Sequence, residues 1–235
     1  MKGKSLGNYG VLAFIFVYFV LCAICWTYDD TSAFSLLPVN LLIASFTLLF
    51  VNLAIKHKDN VIKKYIYLCG YVAFVPNTIY VITDIIHASN YEYLKYSNGK
   101  NYNEIIAHYS TNIIHWAFIL LLSIAILISL YMAYISIRKI EIYFINKRYI
   151  MIYRATISSL IGIAIYMGRI LRLNSWNIIN PLKIIDKFKS SEHSLEFIII
   201  FILGFTLFTF TFMYLSDYAV RQVNKLNNTD FNSAN

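Results

Sequence analysis

IIHWAFILLLSIAILISLYMAYISI, residues 113–137, is an uncharged stretch of 25 residues without Asp, Glu, Lys or Arg. A helix rises about 1.5 Å per residue, so this stretch is longer than the roughly 30 Å hydrocarbon core of a bilayer. An apolar helix of this length is not typical of a soluble domain. The stretch therefore predicts a transmembrane helix.

Five further apolar segments have nearly the same length and carry almost no charge: 7–26, 36–55, 65–83, 149–168 and 197–216. Hydrophobic residues make up 59% of the 235-residue chain and charged residues 14%, against about 45–50% and about 25% in soluble domains. Because lipid offers the backbone no hydrogen-bond partners, these spans must be helical. We expect an all-α integral membrane six-helix bundle, a single domain over 1–216, and a polar, disordered tail over 217–235.

Basic residues are unevenly distributed between the loops of this predicted bundle. Twelve Lys and Arg residues lie at the N-terminus, in the loops after the second and fourth spans and in the tail, whereas seven lie on the opposite side. Positive residues stay on the cytoplasmic side, so both termini are predicted to be cytoplasmic. The net charge of +8 is then a signal of topology, and we expect no nucleic-acid partner.

A polar stripe interrupts the third span, where Asn77, Tyr80, Asp84 and His87 recur at helical spacing. Pro76 precedes them and is expected to kink or unwind the helix. A polar stripe on an apolar span must face protein or water rather than lipid. Asp84 and His87 are candidate catalytic residues, and Asn77 and Tyr80 are candidate ligand-binding residues. Alternatively, Asp84 caps a helix end while His87 is a solvated interfacial residue.

The second polar segment is GRILRLNSWN, residues 168–177, at the end of the fifth span. Arg169, Arg172 and Trp176 fall on one predicted helical face, and two guanidiniums one turn apart suit a phosphate or carboxylate. We therefore take these three and Asn174 as candidate ligand-binding residues. The alternatives are snorkelling arginines with an interfacial tryptophan, or an arginine paired with Asp84.

Metal and cofactor signals are sparse in this sequence. Asp84, His87 and His115 form a weaker alternative site for zinc or another divalent ion, but no dense ligand motif is present. The phosphate-binding glycine loops and the hydrolase nucleophile motif are missing as well. The sequence therefore assigns no cofactor.

Four further features carry structural expectations. Ser158 and Gly162 form a small-xxx-small pattern that lets span five pack closely, and Arg154 near its inner end is expected to snorkel. The tyrosine-rich loop 84–112 is typical of an interfacial aromatic belt, with a lipid or sugar platform as the alternative. Residues 181–189 are expected to form a short amphipathic interfacial helix.

The two polar segments together resemble a bacterial family of multi-pass membrane proteins classed as a domain of unknown function, DUF1361. The resemblance lies in Phe74–His87 and Gly168–Trp176 and extends over roughly residues 35 to 220. It implies a six-span protein of the bacterial cytoplasmic membrane without an established activity. In the family an acidic residue usually follows the tryptophan, whereas this chain has Asn177, so no carboxylate is available there.

Three functions remain open at this point. The first is a site at the outer membrane face that binds or acts on an anionic lipid-linked or envelope substrate, with Asp84 and His87 as acid–base groups. The second is a transporter, or the substrate-binding subunit of one, for a small anionic solute. The third is a non-catalytic scaffold in which an arginine pairs with Asp84. In all three the bilayer is the first partner.

Overall fold

The computed structural model describes residues 16–29, 33–98, 105–173, 181–191 and 193–233. The helices are α1 Phe16–Trp26, α2 Ala33–Lys56, α3 Val61–Tyr80, α4 Ile113–Phe144, α5 Ile150–Ile165, α6 Pro181–Lys189 and α7 Leu195–Ser233. α3 continues as a 3-10 helix, Val81–Asn90, and α5 continues as a π-helical turn, Tyr166–Ile170. A 3-10 turn at Lys147–Tyr149 leads into α5, and two strands, β1 Leu94–Asn98 and β2 Ile105–Tyr109, follow the first 3-10 helix.

Within the described ranges, five helices are long and apolar enough to cross a membrane. They are Ala33–Lys56, Val61–Asn90, Ile113–Phe144, Lys147–Ile170 and Leu195–Leu226, and each contains one of the predicted spans. They indicate a multi-pass membrane protein that is predominantly helical. The predicted first span, 7–26, lies partly outside the described residues, and its described part, α1, is too short to cross. The sixth span and the orientation of the termini therefore remain predictions.

The last helix is longer than the sequence suggests. α7 continues to Ser233, so the expectation of a disordered tail from residue 217 is wrong. The chain has no Gly or Pro between Phe205 and Ser233, and polar residues such as Asn and Lys do not end a helix by themselves. A polar composition marked the end of the membrane segment but not the end of the helix.

A β-hairpin in the loop 84–112 was not expected. β1 and β2 pair in antiparallel fashion, with Leu94 opposite Tyr109 and Tyr96 opposite Ala107. The all-α prediction therefore holds for the spans, while the loop adds a two-stranded sheet. The sequence carries a hairpin signal, Asn98-Gly99, at the end of β1, but the strands are only five residues long and β2 shows no regular alternation of apolar and polar residues.

Pro76 lies inside α3 without unwinding it, so of the expected kink or unwinding the second is wrong. α-Helical geometry continues to Tyr80 and changes to 3-10 only at Val81. Around the proline, Asn77 Nδ2 donates to the Phe74 carbonyl at 3.2 Å and Thr78 Oγ1 donates to the Val75 carbonyl at 2.7 Å. Such side-chain bonds help to satisfy the backbone near a proline in a membrane helix.

The helices pack so that α2 contacts α3 and α4, and α5 contacts α3 and α7. Gly162 marks a close approach of α5 to the backbone of α7, because a Cβ there would lie 2.6 Å from the Ile202 carbonyl oxygen and 2.7 Å from Thr206 Oγ1. The small residue at this position allows the close packing that the Ser158–Gly162 spacing predicts. α5 is thereby fixed between α3 and α7.

Candidate ligand-binding site

Asp84 is a fully buried carboxylate in the 3-10 helix after α3. Its Oδ2 accepts a hydrogen bond from Asn40 Nδ2 on α2 at 2.7 Å, and its Oδ1 accepts one from Arg169 Nη2 at 2.5 Å. A carboxylate buried in an apolar bundle requires such partners, because an unpaired charge there is very unfavourable. These three side chains join α2, the end of α3 and the end of α5.

Arg169 makes two further contacts with the end of α3. Its Nε donates to Thr83 Oγ1 at 2.8 Å, and its guanidinium carbon lies 4.3 Å from the centre of the Tyr80 ring. The guanidinium is therefore held by a carboxylate, a hydroxyl and an aromatic face at once. The predicted meeting of the ends of spans three and five, and the pairing of an arginine with Asp84, are confirmed.

Where the ends of α3 and α5 meet, both helices depart from α-helical geometry. α3 tightens to a 3-10 helix directly after Tyr80, and α5 widens to a π-helical turn over Tyr166–Ile170. Both kinds of change rotate the following side chains relative to a regular helix. Gly168 lies within the π-helical turn, where a Cβ would be 3.4 Å from the Tyr80 ring.

The expectation that Arg169 and Arg172 project from one helical face is wrong. Helical structure ends at Ile170, and Arg172 adopts a left-handed backbone with φ of 51° and is exposed. Its neighbour Leu171 accepts a hydrogen bond through its carbonyl from Lys187 Nζ on α6 at 2.8 Å. Arg172 therefore does not continue the helical face that carries Arg169, and the predicted Asn174 and Trp176 lie outside the described residues.

His87 is the member of the polar stripe that the structure leaves apart. It is half-buried, and its side chain makes no hydrogen bond or ion pair with the rest of the described chain. His115, on α4, shares a hydrogen bond of 3.0 Å with Ser110 Oγ through Nδ1. Among the residues that the structure covers, no three His, Cys, Asp or Glu side chains are grouped to hold a metal ion, so Asp84, His87 and His115 do not form the weaker alternative site.

A cavity of about 440 Å³ lies beside the Asp84–Arg169 pair, between α2, α3 and the end of α5. Its wall is mainly aliphatic and aromatic, with two amides and one phenol as polar groups. The lining residues are Asn40, Ile43, Phe46, Ala73, Phe74, Pro76, Asn77, Tyr80, Ala164, Ile165, Met167, Gly168 and Leu173. Asn40 and Tyr80 thus touch both the ion pair and the cavity.

The two polar segments and the cavity all lie within a region that matches one family. The model for the family described as protein of unknown function (DUF1361) matches residues 34–211, which is most of the chain. The chain belongs to the DUF1361 family. No curated protein and no solved structure matches this DUF1361 member.

A second group of charged side chains lies near the start of α5 in this DUF1361 protein. Arg154 donates from Nε to Glu141 Oε1 at 2.6 Å and from Nη2 to Asp217 Oδ2 at 2.6 Å. Arg138 also pairs with Glu141, and its Nε lies 3.4 Å from Asp217 Oδ1. Tyr134 completes the group by donating to Asp217 Oδ1 at 3.0 Å. We call these five residues the charge network.

The charge network corrects the expectation that Arg154 snorkels towards water. Arg154 is buried and satisfied by two carboxylates from α4 and α7. The signals in the sequence were weak but present, because Glu141 and Asp217 are isolated acids just beyond long apolar runs. Asn40, which also escaped attention, was one of only two amides in the apolar segment 36–55. Isolated polar residues of this kind acquire a partner only when the helices are assembled.

Proposed function

We propose that this DUF1361 protein binds an anionic amphiphile, a lipid or a lipid-linked envelope compound, in the cavity between α2, α3 and α5. The observation that carries the proposal is a cavity of about 440 Å³ directly beside a fully buried carboxylate that is paired with a guanidinium. Ligand cavities in proteins have this size range and usually combine an apolar wall with a few placed polar groups.

The lining of the cavity fits an apolar chain with a polar end. Phe46, Phe74 and Ile165 contribute apolar surface, while Asn40 and Asn77 contribute amides. Each amide uses its Nδ2 within the protein, Asn40 towards Asp84 and Asn77 towards the Phe74 carbonyl. Their carbonyl oxygens remain to accept hydrogen bonds from hydroxyl or amide groups of a ligand.

The charge around the cavity favours an anionic head group. Asp84 balances the charge of Arg169, but Arg172 adjoins the lining residue Leu173 and is exposed. Lys187 lies against the carbonyl of Leu171 on the same side. Neither cation has an acidic partner among the described residues, and both lie close to the chain segment that ends in the lining residue Leu173, so they suit a phosphate or carboxylate at this end of the cavity.

The role of Asp84 in this proposal is to position other groups. Both of its oxygens are hydrogen-bonded and it has no exposed surface, whereas an acid–base catalyst must reach the proton that it transfers. It instead holds Arg169 over the Tyr80 ring at the edge of the cavity. Binding is therefore better supported than the catalytic role considered for Asp84 and His87.

The distribution of basic residues supports a location in the bacterial cytoplasmic membrane with both termini inside. In that orientation the Asp84–Arg169 pair and the cavity belong to the outer half of the membrane. A ligand from the outer leaflet could then enter sideways between helices. This part of the proposal depends on the sequence rather than on helix packing.

Filling the cavity tests the proposal. The protein is purified in detergent, mixed with phosphatidylglycerol, phosphatidylcholine or a polyprenyl phosphate, and analysed by native mass spectrometry for retained lipid. We expect the two anionic probes to be retained over phosphatidylcholine. The variant Ala164→Phe, which places a ring in the cavity, is expected to lose this retention, because the bound chain and the ring need the same space.

Ala155→Phe is the matched control, since Ala155 lies on the same helix but is exposed. It should retain lipid as the unchanged protein does. Equal retention by Ala164→Phe and the unchanged protein would contradict binding in this cavity. A preference for the polyprenyl phosphate over phosphatidylglycerol would identify a lipid-linked compound as the ligand class.

Transport of a small anionic solute is the second candidate, and the irregular helices favour it. Two of the three helices that border the cavity leave α-helical geometry beside it, α3 at Val81 and α5 at Tyr166, and interrupted helices commonly line the solute sites of transporters. Uptake of phosphate or a carboxylate into proteoliposomes, abolished by Ala164→Phe, would favour this candidate. A scaffold is favoured instead if neither lipid retention nor uptake depends on the cavity.

A further inference from the structure

The β-hairpin between the 3-10 helix and α4 has two chemically different faces. In its register, Leu94, Tyr96, Ala107 and Tyr109 share one face, because directly opposed residues of antiparallel strands lie on the same side. Tyr96 and Tyr109 are 69% and 72% exposed. The face therefore presents two unburied phenol rings.

The opposite face of the hairpin is mainly polar, because it carries Lys95, Ser97 and His108, with Ile106 opposite Ser97 as its one apolar residue in the described register. Ser97 Oγ and His108 Nε2 lie 3.0 Å apart on it, and Lys95 pairs at its base with Glu92 at 3.0 Å. An amphipathic hairpin of this kind has a preferred contact with an apolar surface on one side and with water on the other. The alternation of residues thus indicates an orientation towards a boundary between the two.

The hairpin has little support from the rest of the described chain. Its strands contact each other extensively, but neither packs extensively on a helix within the described ranges. A two-stranded hairpin is at best marginally stable in water by itself. Within the described ranges, no helix packs extensively on the tyrosine face, and the exposed rings gain stability from an apolar surface that covers them.

The base of the hairpin is fixed at the end of a membrane helix. Trp116 Nε1 on α4 donates to the Ser110 carbonyl at 2.7 Å, and the Tyr93 ring lies 6.1 Å from that of Trp116. Only residues 110–112 separate β2 from α4, whose first residue, Ile113, is 74% exposed. The hairpin therefore emerges where the lipid-facing surface of the protein begins.

We propose that the hairpin lies along the membrane surface, with Tyr96 and Tyr109 in the boundary between lipid head groups and acyl chains. Tyrosine suits this boundary because its ring is apolar and its hydroxyl is polar. The lipid surface is continuous with the exposed surface of α4 at Ile113 and requires no further partner. Lys95, Ser97 and His108 then face the aqueous side.

Spin labels on adjacent residues test the proposed orientation. Single cysteines are introduced as Tyr96→Cys, Tyr109→Cys, Ser97→Cys and His108→Cys after replacement of Cys22, Cys25 and Cys69 by Ala. The labelled proteins are reconstituted into vesicles of phosphatidylethanolamine and phosphatidylglycerol. Accessibility to oxygen, which concentrates in lipid, is compared with accessibility to a water-soluble nickel chelate.

We expect the oxygen-to-nickel ratio to be several-fold higher at positions 96 and 109 than at 97 and 108. Labels at Leu160, on the exposed side of α5, and at Lys58, in an exposed turn, supply the lipid and water references. Ratios without alternation, or high at 97 and 108, would overturn the proposal. So would strong coupling between labels of two molecules, which would indicate that a second copy covers the face.

Tryptophan variants test the same orientation in a protein that keeps its native cysteines, in case the cysteine-free protein does not fold. Tyr96→Trp and Ser97→Trp are made with the native cysteines in place and tested against vesicles of brominated lipid. We expect the brominated lipid to quench the fluorescence of the introduced tryptophan in Tyr96→Trp but not in Ser97→Trp. Equal quenching of the two would overturn the proposal independently.

Discussion

The two ends of α5 carry arginines in very different surroundings. Arg154 near the start bonds to two carboxylates from α4 and α7, which makes the charge network a tie between three helices. Arg169 lies fifteen residues later, about 22 Å along the helical axis. It has one carboxylate, Asp84, and its remaining contacts are a hydroxyl and an aromatic ring at the edge of a cavity.

This difference separates a structural use of charge from one suited to binding. The charge network balances two arginines with two acids, so that every charge has an opposite neighbour. At the other end, one balanced pair, Asp84 and Arg169, lies beside a cavity. Ion pairs in membrane bundles are therefore not equivalent, and the cavity rather than the pair identifies the candidate site.

Removing Arg154 should have the largest effect on stability. Arg154→Met leaves the buried Glu141 and Asp217 with one cationic neighbour, the half-buried Arg138, while Tyr134 still donates to Asp217. Breaking a buried pair in this way is expected to lower the free energy of unfolding by about 3–5 kcal/mol. Unfolding by dodecyl sulfate in mixed micelles measures it. Arg148→Met is the control, since Arg148 is exposed, and similar losses in both variants would refute the network as a tie.

Neutralising Asp84 should have an intermediate effect. Asp84→Asn removes the charge opposite Arg169 but keeps the side-chain shape, and Arg169 retains Thr83 and some access to water. We expect a loss of about 1.5–3 kcal/mol in the free energy of unfolding, the range for hydrogen bonds to charged groups. The double variant Asp84→Asn with Arg169→Gln should recover part of this loss. A double variant as unstable as the sum of both single ones would show that the two residues are not coupled.

Two glycines on this helical segment give the smallest and most selective test. Gly162→Ala should lower the free energy of unfolding by about 1–3 kcal/mol, because its Cβ would collide with the Ile202 carbonyl. Gly168→Ala should change it by less than about 0.5 kcal/mol, since its Cβ only reaches ordinary contact with Tyr80. Thermal unfolding of the two variants side by side compares them. Equal sensitivity would mean that α5 packs as tightly at the cavity as it does against α7.

The candidate site could be predicted from the sequence only in part. Asp84 and Arg169 were identified because a charge in an apolar span must face protein or water. The prediction that Arg169 and Arg172 share a helical face is wrong, because it assumes a regular helix beyond Ile170. The chain instead turns there through Arg172, which has a left-handed backbone. Asn40 and the charge network were missed because one isolated polar residue on a helix does not reveal its partner on another.

Composition alone determined that the chain crosses a membrane several times as helices, because the hydrocarbon core tolerates only long apolar segments with satisfied backbones. The positions of the apolar residues along the sequence also determined which segments would cross the membrane. Tertiary structure decided which charges meet, since a partner 85 residues away depends on how helices cross and where they leave α-helical geometry. It likewise decided that a cavity remains beside Asp84 and Arg169, because empty space arises from the packing of three helices and has no signature in any one of them.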